Sequence, residues 1–282
     1  MSSILTNNGA IVALQTLKAI NSNLNKTQAE VSTGKSIANA KDNAAIWTIS
    51  KVMESDQSSF KKVQSGLNVA EAIVATARSG AEQVTDILGK MKDLAVNAGT
   101  DGFDFDTVQI QIDNYWEQID SIIKGTQMNG VNMLSTNGID GGSEYTVLAS
   151  LDRVVGSAAT TSNVITVDSL DFEASIHTAG TAIADISSRA TADAYIHALE
   201  PLIDAAVEGT AALGAKGAHI ADQASFVGKL ADSLTVGIGS LVDADMEEAS
   251  ARLQALQTQQ QLGIQALSIA NQAPSAILSL FR

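Results

Sequence analysis

A heptad repeat in the first third of the chain constrains the fold more than any other feature of the sequence. Steps of three and four residues from Ile46 to Ala95 reach fifteen positions, and fourteen of them are apolar. The repeat predicts a single helix of about 50 residues, roughly 75 Å long at the α-helical rise. Such a helix needs partner helices along its whole length, because water would otherwise reach its apolar seam.

Asp56 is the only charged residue in this seam, and the sequence leaves two roles open for it. A buried polar residue can fix the register of paired helices. Alternatively, the partner helix is absent at this level and water reaches the carboxylate.

Two further heptad patterns predict more helix. One covers residues 105–122, and the other runs from Ile196 to Leu241. Pro201 either opens this second helix or kinks it near its start. After Leu241 the register slips and a new seam begins at Met246, which indicates a joint between two helical bundles.

The N-terminal region predicts a matching joint. Residues 3–32 carry apolar residues at a strict spacing of seven, which favours a helix. Gly34 follows this helix as a C′ residue would, and Asp42 can cap the next helix.

Between residues 127 and 185 the helical pattern disappears. Asn-Gly turn signals occur there, and residues 145–148 and 164–167 are strand-like. The stretch 157–163 is typical of an exposed loop, whose Ser and Thr side chains either carry glycans or form a plain polar surface. We therefore expect a small β insertion.

These patterns predict a mainly α fold, in which both chain ends form a long antiparallel coiled-coil helical bundle and the middle holds a small β-hairpin insertion. The expected parts are residues 1–42, the N-terminal part of a terminal helical domain; 43–126, the N-terminal helices of a helical bundle domain; 127–185, the β-rich insertion; 186–241, the C-terminal helix of the bundle domain; and 242–282, the C-terminal part of the terminal helical domain.

Negative charge is concentrated in the middle of the chain. The formal net charge is −14 for all 282 residues and −12 for residues 101–200 alone. We expect no nucleic-acid partner, because phosphate binding needs a basic face. The chain has no cysteine, so neither a disulfide nor a thiol nucleophile is expected.

Both ends of the chain are almost free of charge. Residues 1–17 and 253–281 hold no charged side chain. The second stretch contains seven glutamines and Pro274, which makes it too polar to insert into a membrane. The first lacks the basic and apolar regions of a cleavable signal peptide. Uncharged, amphipathic ends are typical of surfaces that other protein covers.

No pattern in the sequence indicates catalysis, a cofactor or a metal site. The three histidines lie in no zinc-binding motif, and no nucleophile-elbow or P-loop motif occurs. His197 and Glu200 are three residues apart, which favours a solvated helix face over a metal pair. Asp101, Asp104 and Asp106 lack the spacing of a calcium loop and are better placed to cap the helix that follows.

The two ends resemble those of bacterial flagellin. The most specific stretches are STGKSIANAKDNAA at 32–45, TQMNGVNML at 126–134 and ANQAPSAILSLFR at 270–282. The resemblance implies a non-enzymatic subunit that self-assembles into the helical flagellar filament used for swimming. It also implies that the terminal helical domain is the inner one, facing the filament lumen, with the helical bundle outside it.

Further expectations follow from the same resemblance. The subunit would be exported unfolded by the flagellar type III system and would end outside the cell. Its partners would be many copies of itself, sister flagellins, an export chaperone and the filament cap. The short middle implies that the large outer domains of longer flagellins are missing. The alternative is the hook–filament junction protein, which shares the terminal helices. A flagellin with a protease in its middle is disfavoured, because residues 127–200 hold no zinc-binding pattern.

The apolar tail is the expected assembly contact. Large apolar side chains crowd the last six positions, although chain termini are usually polar and mobile. In a polymer, the N-terminal residues of the same and neighbouring subunits would receive them. The candidate contacts are Ile4, Ile11, Leu14, Leu17, Leu267, Ile277, Leu278, Leu280 and Phe281.

A second candidate region resembles the segment that a vertebrate Toll-like receptor reads in some flagellins. In place of the signature QRVRELAVQ, the chain has GKMKDLAVN. Leu94 and Val96 are kept, whereas Lys90 and Lys92 replace the two arginines and Asp93 replaces the glutamate. Because lysine lacks the planar, forked donors of arginine, we expect weak activation of that receptor.

Overall fold

The computed structural model describes residues 7–100, 104–139, 142–151 and 162–280, with side chains for all of these except 162 and 273–280. Within the described part, the elements in chain order are α1 (Asn8–Thr33), α2 (Ala44–Ala98), α3 (Phe105–Gly125), β1 (Glu144–Leu151), β2 (Ser162–Asp168), a π-helical segment (Glu173–Thr178), α4 (Ala179–Thr181), α5 (Arg189–Val242) and α6 (Met246–Leu280).

The long helix predicted from the heptad repeat is confirmed. α2 has 55 residues, and every predicted seam position from Val63 to Ala95 is buried. α5 runs antiparallel to α2, because Lys92 pairs with Glu200 while Gln64 lies against Gly228, further along α5. The predicted fold class, mainly α with antiparallel helices and a small β-hairpin, is confirmed.

Two compact units divide the chain. One comprises residues 1–57 and 232–282, and the other comprises residues 58–231. The large apolar core lies in the second unit and is built mainly from Ala, Ile, Leu and Val. Alanines at α2 seam positions such as Ala70, Ala77 and Ala81 are almost fully buried, which keeps the helices close together. The five-part division into domains stays a prediction.

Two predicted helix ends are confirmed. Gly34 follows α1 with a φ of 69°, and its N–H donates to the Glu30 carbonyl at 2.9 Å. A left-handed residue after a helix is a usual place for glycine, because a Cβ would be strained there. At the start of α3, the Asp104 side chain accepts from the Asp106 N–H. Asp101 lies outside the described residues.

The prediction that Asp42 caps α2 is wrong. The Asn43 side chain accepts from the Ala45 and Ile46 N–H groups, at 3.2 and 3.3 Å. The Asp42 carboxylate instead accepts from Ala38 and Asn39 and closes the turn before the helix. Both residue types can cap a helix, so only the backbone path decides which side chain reaches the first turn.

Pro201 lies inside α5, well beyond the first residue of that helix, Arg189. The alternative that it opens the helix is therefore wrong. Because proline has no N–H, the carbonyl of His197 loses its usual intrahelical partner at this point.

The predicted β-hairpin is confirmed. β1 and β2 pair antiparallel, with Val147 opposite Ile165, and the register shifts between Leu148 and Ser150. Ser162 and Asn163 belong to β2, so the expected loop is shorter than 157–163 at its C-terminal end. The loop prediction failed there because pairing with β1 occupies the backbone of these two polar residues.

The π-helical segment lies where the sequence predicted no helix. Its first residue, Glu173, accepts hydrogen bonds from the Ser135 hydroxyl at 2.5 Å and from the Thr136 N–H at 3.1 Å. Phe172 and Ile176 are buried in the core beneath it. Tertiary contacts anchor this short turn, so a search for long helical periods misses it.

Gly180 allows the residues after the π-helical segment to contact Trp116. An added Cβ would lie 1.9 Å from Cη2 of that buried ring. We therefore expect Gly180→Ala to lower the free energy of unfolding by about 1–3 kcal/mol through overpacking. Urea unfolding followed by circular dichroism measures this change.

The matched control is Gly66→Ala, at an exposed position inside α2 with nothing within 4 Å of the added Cβ. It should raise the free energy of unfolding by roughly 0.5–1 kcal/mol, because glycine is unfavourable in a helix. Equal effects of the two substitutions would contradict the role assigned to Gly180.

Candidate assembly interface

α1 and α6 form an antiparallel pair. The Asn7 amide donates to the Ala270 carbonyl at 2.7 Å, and the Gln260 amide donates to Asn21 Oδ1 at 2.7 Å. Residues near the start of α1 thus meet residues late in α6. The first contact lies at the start of α1 and the second near its middle, and together they define the register of the pair.

The shared seam of the pair repeats in steps of three and four. On both helices the seam residues are half-buried or buried, although the flanking residues are mostly exposed. The seam consists of Ala10, Ala13, Leu17, Ile20, Leu24, Thr27 and Val31 on α1, and Ala249, Leu253, Leu256, Gln260, Gly263, Leu267 and Ala270 on α6. Gly263 packs beneath Leu17, whose Cδ1 would be 3.1 Å from an added Cβ. A side chain at this position would require Leu17 to shift by a few tenths of an ångström.

A second set of apolar side chains on the same helices points away from the seam. Ile264 is 55% exposed and Ile269 is 70% exposed, so one chain leaves both in water. This exposed apolar set comprises Ile11, Val12 and Leu14 on α1, and Leu262, Ile264 and Ile269 on α6. Large apolar surface exposed in this way is typical of a protein–protein contact.

The predicted contact residues fall into three groups. Ile11 and Leu14 belong to the exposed apolar set. Leu17 and Leu267 are half-buried at the seam, where they face their own chain. The other five lie where side chains are not described: Ile277, Leu278 and Leu280 are in the last turns of α6, and Ile4 and Phe281 are outside the described residues.

Sequence reasoning missed four members of the exposed apolar set, namely Val12, Leu262, Ile264 and Ile269. They lie one or two positions away from the heptad seam, and a heptad pattern identifies only the residues of the seam itself. Plotting each helix as a wheel would have shown apolar residues on both flanks of the seam.

The connections at the other end of the pair meet as short extended segments. Lys35 bridges to Asp243, the Ser36 N–H donates to the Val242 carbonyl at 2.7 Å, and the Ala244 N–H donates to the Gly34 carbonyl at 2.9 Å. The break between α5 and α6 therefore faces the break between α1 and α2. This confirms that both helix breaks inferred from the sequence exist.

Glu54 ties this connection to α2. Lys51 donates to its carboxylate at 2.6 Å and Lys35 donates at 3.3 Å. The hydrogen bond from Lys51 is the main reason that the pKa of the Glu54 carboxyl lies below its ordinary value, and Lys35 lowers it further.

The receptor-like segment lies on α2. Lys90, Asp93 and Val96 are exposed, and Leu94 is half-buried. The Lys92 ammonium lies 3.2 Å from a Glu200 oxygen and therefore already forms an ion pair within the chain. This ion pair also accounts for Glu200, which the sequence placed beside His197.

Other kinds of site find no support among the described residues. No group of three His, Asp or Glu side chains there could hold a metal ion. None of the described helices is long and apolar enough to cross a membrane.

Comparisons with known proteins match nearly the whole chain. Residues 4–138 match the family model for the bacterial flagellin N-terminal helical region, and residues 196–281 match the model for the C-terminal helical region. Flagellin FljM of Caulobacter vibrioides is 37% identical over 286 residues, which cover 100% of this chain and 99% of that protein. A flagellin of Brucella melitensis is 37% identical over 292 residues and flagellin C of Rhizobium meliloti is 33% identical over 320 residues, each with 100% of both chains covered.

The Glu54 ion pairs predict a measurable pH dependence. The folded pKa is below the unfolded value, so the ionised carboxylate contributes stability above the unfolded pKa and loses it as the pH falls through the folded pKa. Lys51→Ala should raise the pKa of Glu54 more than Lys35→Ala does. Carboxyl carbon shifts in an NMR titration report this pKa, with the exposed Lys61→Ala as control. An unchanged Glu54 pKa in Lys51→Ala would refute the assignment.

Proposed function

The chain belongs to the bacterial flagellin family, and we propose that it is a structural subunit that self-assembles into the helical flagellar filament used for swimming. The observation that carries this function, beyond family membership, is the exposed apolar set on the paired helices α1 and α6. Six large apolar side chains exposed to water on a two-helix pair are unfavourable in a monomer and would be buried in a polymer.

Burial in a polymer explains this exposed apolar set. Each such side chain is worth about 1.5–3 kcal/mol when it is removed from water. In a helical assembly every subunit repeats the same contact, so a small change per subunit alters the whole lattice. The tail side chains Ile277, Leu278, Leu280 and Phe281 extend the same surface in this proposal, with Ile4 among the residues that receive them.

The same proposal includes the export of the chain from the cell and its assembly outside. We infer export through the flagellar type III system, an export chaperone that covers the terminal segments before assembly, a filament cap at the growing end, and sister flagellins as further subunits. The terminal parts 1–42 and 242–282 would form the inner domain and 43–241 the outer part. The family is one of structural proteins, which supports a non-enzymatic role.

The hook–filament junction protein remains the alternative function, and no observation favours it over a filament subunit. Self-assembly separates the two, because only a filament subunit should grow long filaments alone. Electron microscopy of the purified full chain under polymerising conditions provides the test. Failure to form filaments at any concentration would count against the proposal.

The exposed apolar set predicts the effect of two substitutions. The double change Ile264→Ser with Ile269→Ser should raise the critical concentration for filament growth by tenfold or more. About 1.4 kcal/mol per subunit suffices for this factor, and two buried isoleucines exceed it. Sedimentation of polymer, with circular dichroism of monomer from the same preparation, measures assembly and folding separately.

The matched control is Gln261→Ser with Gln265→Ser, two exposed polar positions on the same helix. It should leave the critical concentration unchanged. If the isoleucine variant assembles as the control does, the exposed apolar set is not an assembly contact.

We also propose weak activation of the Toll-like receptor that reads some flagellins. The support is chemical: Lys90 and Lys92 are point charges, whereas arginine offers a planar fork of donors. Lys90→Arg with Lys92→Arg and Gly89→Gln should raise the potency in a reporter-cell assay several-fold. Lys61→Arg and Lys62→Arg, outside the segment, serve as the control. Full potency of the unchanged chain would refute this proposal.

A further inference from the structure

A cavity of about 400 Å³ lies within the 58–231 unit, and none of its lining residues belongs to the exposed apolar set. Part of the lining is a stripe of α3, and the rest comes from the end of the π-helical segment, the residues after it and the start of α5. The lining comes from three separate parts of the chain, residues 109–120, 177–185 and Tyr195. Its volume is sufficient for a small molecule.

The floor of the cavity is aromatic. Trp116 is 5% exposed, and its indole N–H donates to the Tyr195 hydroxyl oxygen at 3.1 Å. The His177 ring meets Trp116 edge to face, with centroids 6.3 Å apart. Gly180 allows this wall to contact the Trp116 ring. Such an electron-rich floor attracts cations.

The Tyr195 hydroxyl has an unused donor. Tyr195 is only 2% exposed and lines the cavity. Its oxygen already accepts from Trp116, and none of the described residues accepts its proton. Burial raises the pKa of Tyr195 to about 12, so the hydroxyl keeps this proton near neutral pH. A buried donor without an acceptor is unfavourable. A ligand with an oxygen atom would accept the Tyr195 proton and remove this cost.

The rim of the cavity is acidic, with four carboxylates and no lysine or arginine among the lining residues. Asp120 is paired with Lys124 at 2.7 Å, and Asp113 accepts from the Gln109 amide at 2.8 Å. Glu117 and Asp185 have no cationic partner among the described residues. Carboxylates around a partly enclosed, low-dielectric site focus a negative potential into it.

We propose that this cavity binds a small organic cation that also carries an oxygen atom, of the amino-alcohol class that choline represents. The ammonium group lies beside the Trp116 ring and between the carboxylates of Glu117 and Asp185, which have no cationic partner among the described residues. The oxygen of the ligand accepts the Tyr195 proton. Anions are repelled by the rim, and the lining offers no set of three ligands for a metal ion. The lining shares no residue with the exposed apolar set, so the two proposals can fail independently.

Fluorescence of Trp116 reports on occupancy directly. The chain has two tryptophans, and Trp47→Phe leaves Trp116 as the sole indole. In this background, choline should produce a saturable change in the emission of the full chain. The neutral isostere 3,3-dimethylbutan-1-ol has the same shape without the charge and should bind at least tenfold more weakly. Equal responses to the two compounds would overturn a cation site.

Substitutions separate the roles of charge and hydroxyl. Glu117→Gln with Asp185→Asn should weaken choline binding at least tenfold, whereas Asp204→Asn with Glu208→Gln, two exposed carboxylates of α5 outside the cavity, should leave it within twofold. Tyr195→Phe should weaken choline several-fold but leave tetramethylammonium unchanged, because that cation has no oxygen. Circular dichroism confirms that each variant folds. Wild-type affinity in the Glu117/Asp185 variant, or equal losses for both cations in Tyr195→Phe, would contradict the proposal.

Discussion

The rest of the structure depends on the burial of one apolar seam along α2. Its positions from Val63 to Ala95 are almost completely removed from water, and α5 covers them from the opposite direction. The seam is rich in alanine, so the helices approach closely and the contact is continuous rather than concentrated in a few large residues. α3, the β-hairpin and the π-helical segment then add aliphatic side chains to a core that this pair defines.

The paired helices α1 and α6 follow the same packing rule with a different outcome. They share one seam in steps of three and four, but the exposed apolar set stays in water within the described part of the chain. Helices are marginal in water without tertiary packing, so burial of the exposed apolar set in the proposed polymer would stabilise the pair. In the proposed filament, assembly would complete the burial of this pair.

Charge and aromatic side chains have a complementary distribution. The uncharged stretches 1–17 and 253–281 belong to the unit that would face other subunits, and the −12 of residues 101–200 lies in the other unit. Carboxylates there favour solubility. In the cavity they lie around Trp116, Tyr195 and His177, where partial burial strengthens electrostatic interactions and hydrogen bonds. The acidic rim of the cavity is therefore a local consequence of the acidic composition of the middle of the chain.

The sequence by itself determined the long helices, the Gly34 helix end, the two helix breaks and the β-hairpin, because each depends on local periodicity or turn chemistry. Its resemblance to flagellin also identified the family. Only the tertiary structure decided that Asn43 rather than Asp42 caps α2, that Pro201 lies inside α5, and which apolar residues of α1 and α6 face each other or water. The cavity depends most on the tertiary structure, because Trp116, His177 and Tyr195 are far apart in the chain and no sequence period links them. Local patterns report the conformation of neighbouring residues, whereas a site depends on which distant residues the packing brings together.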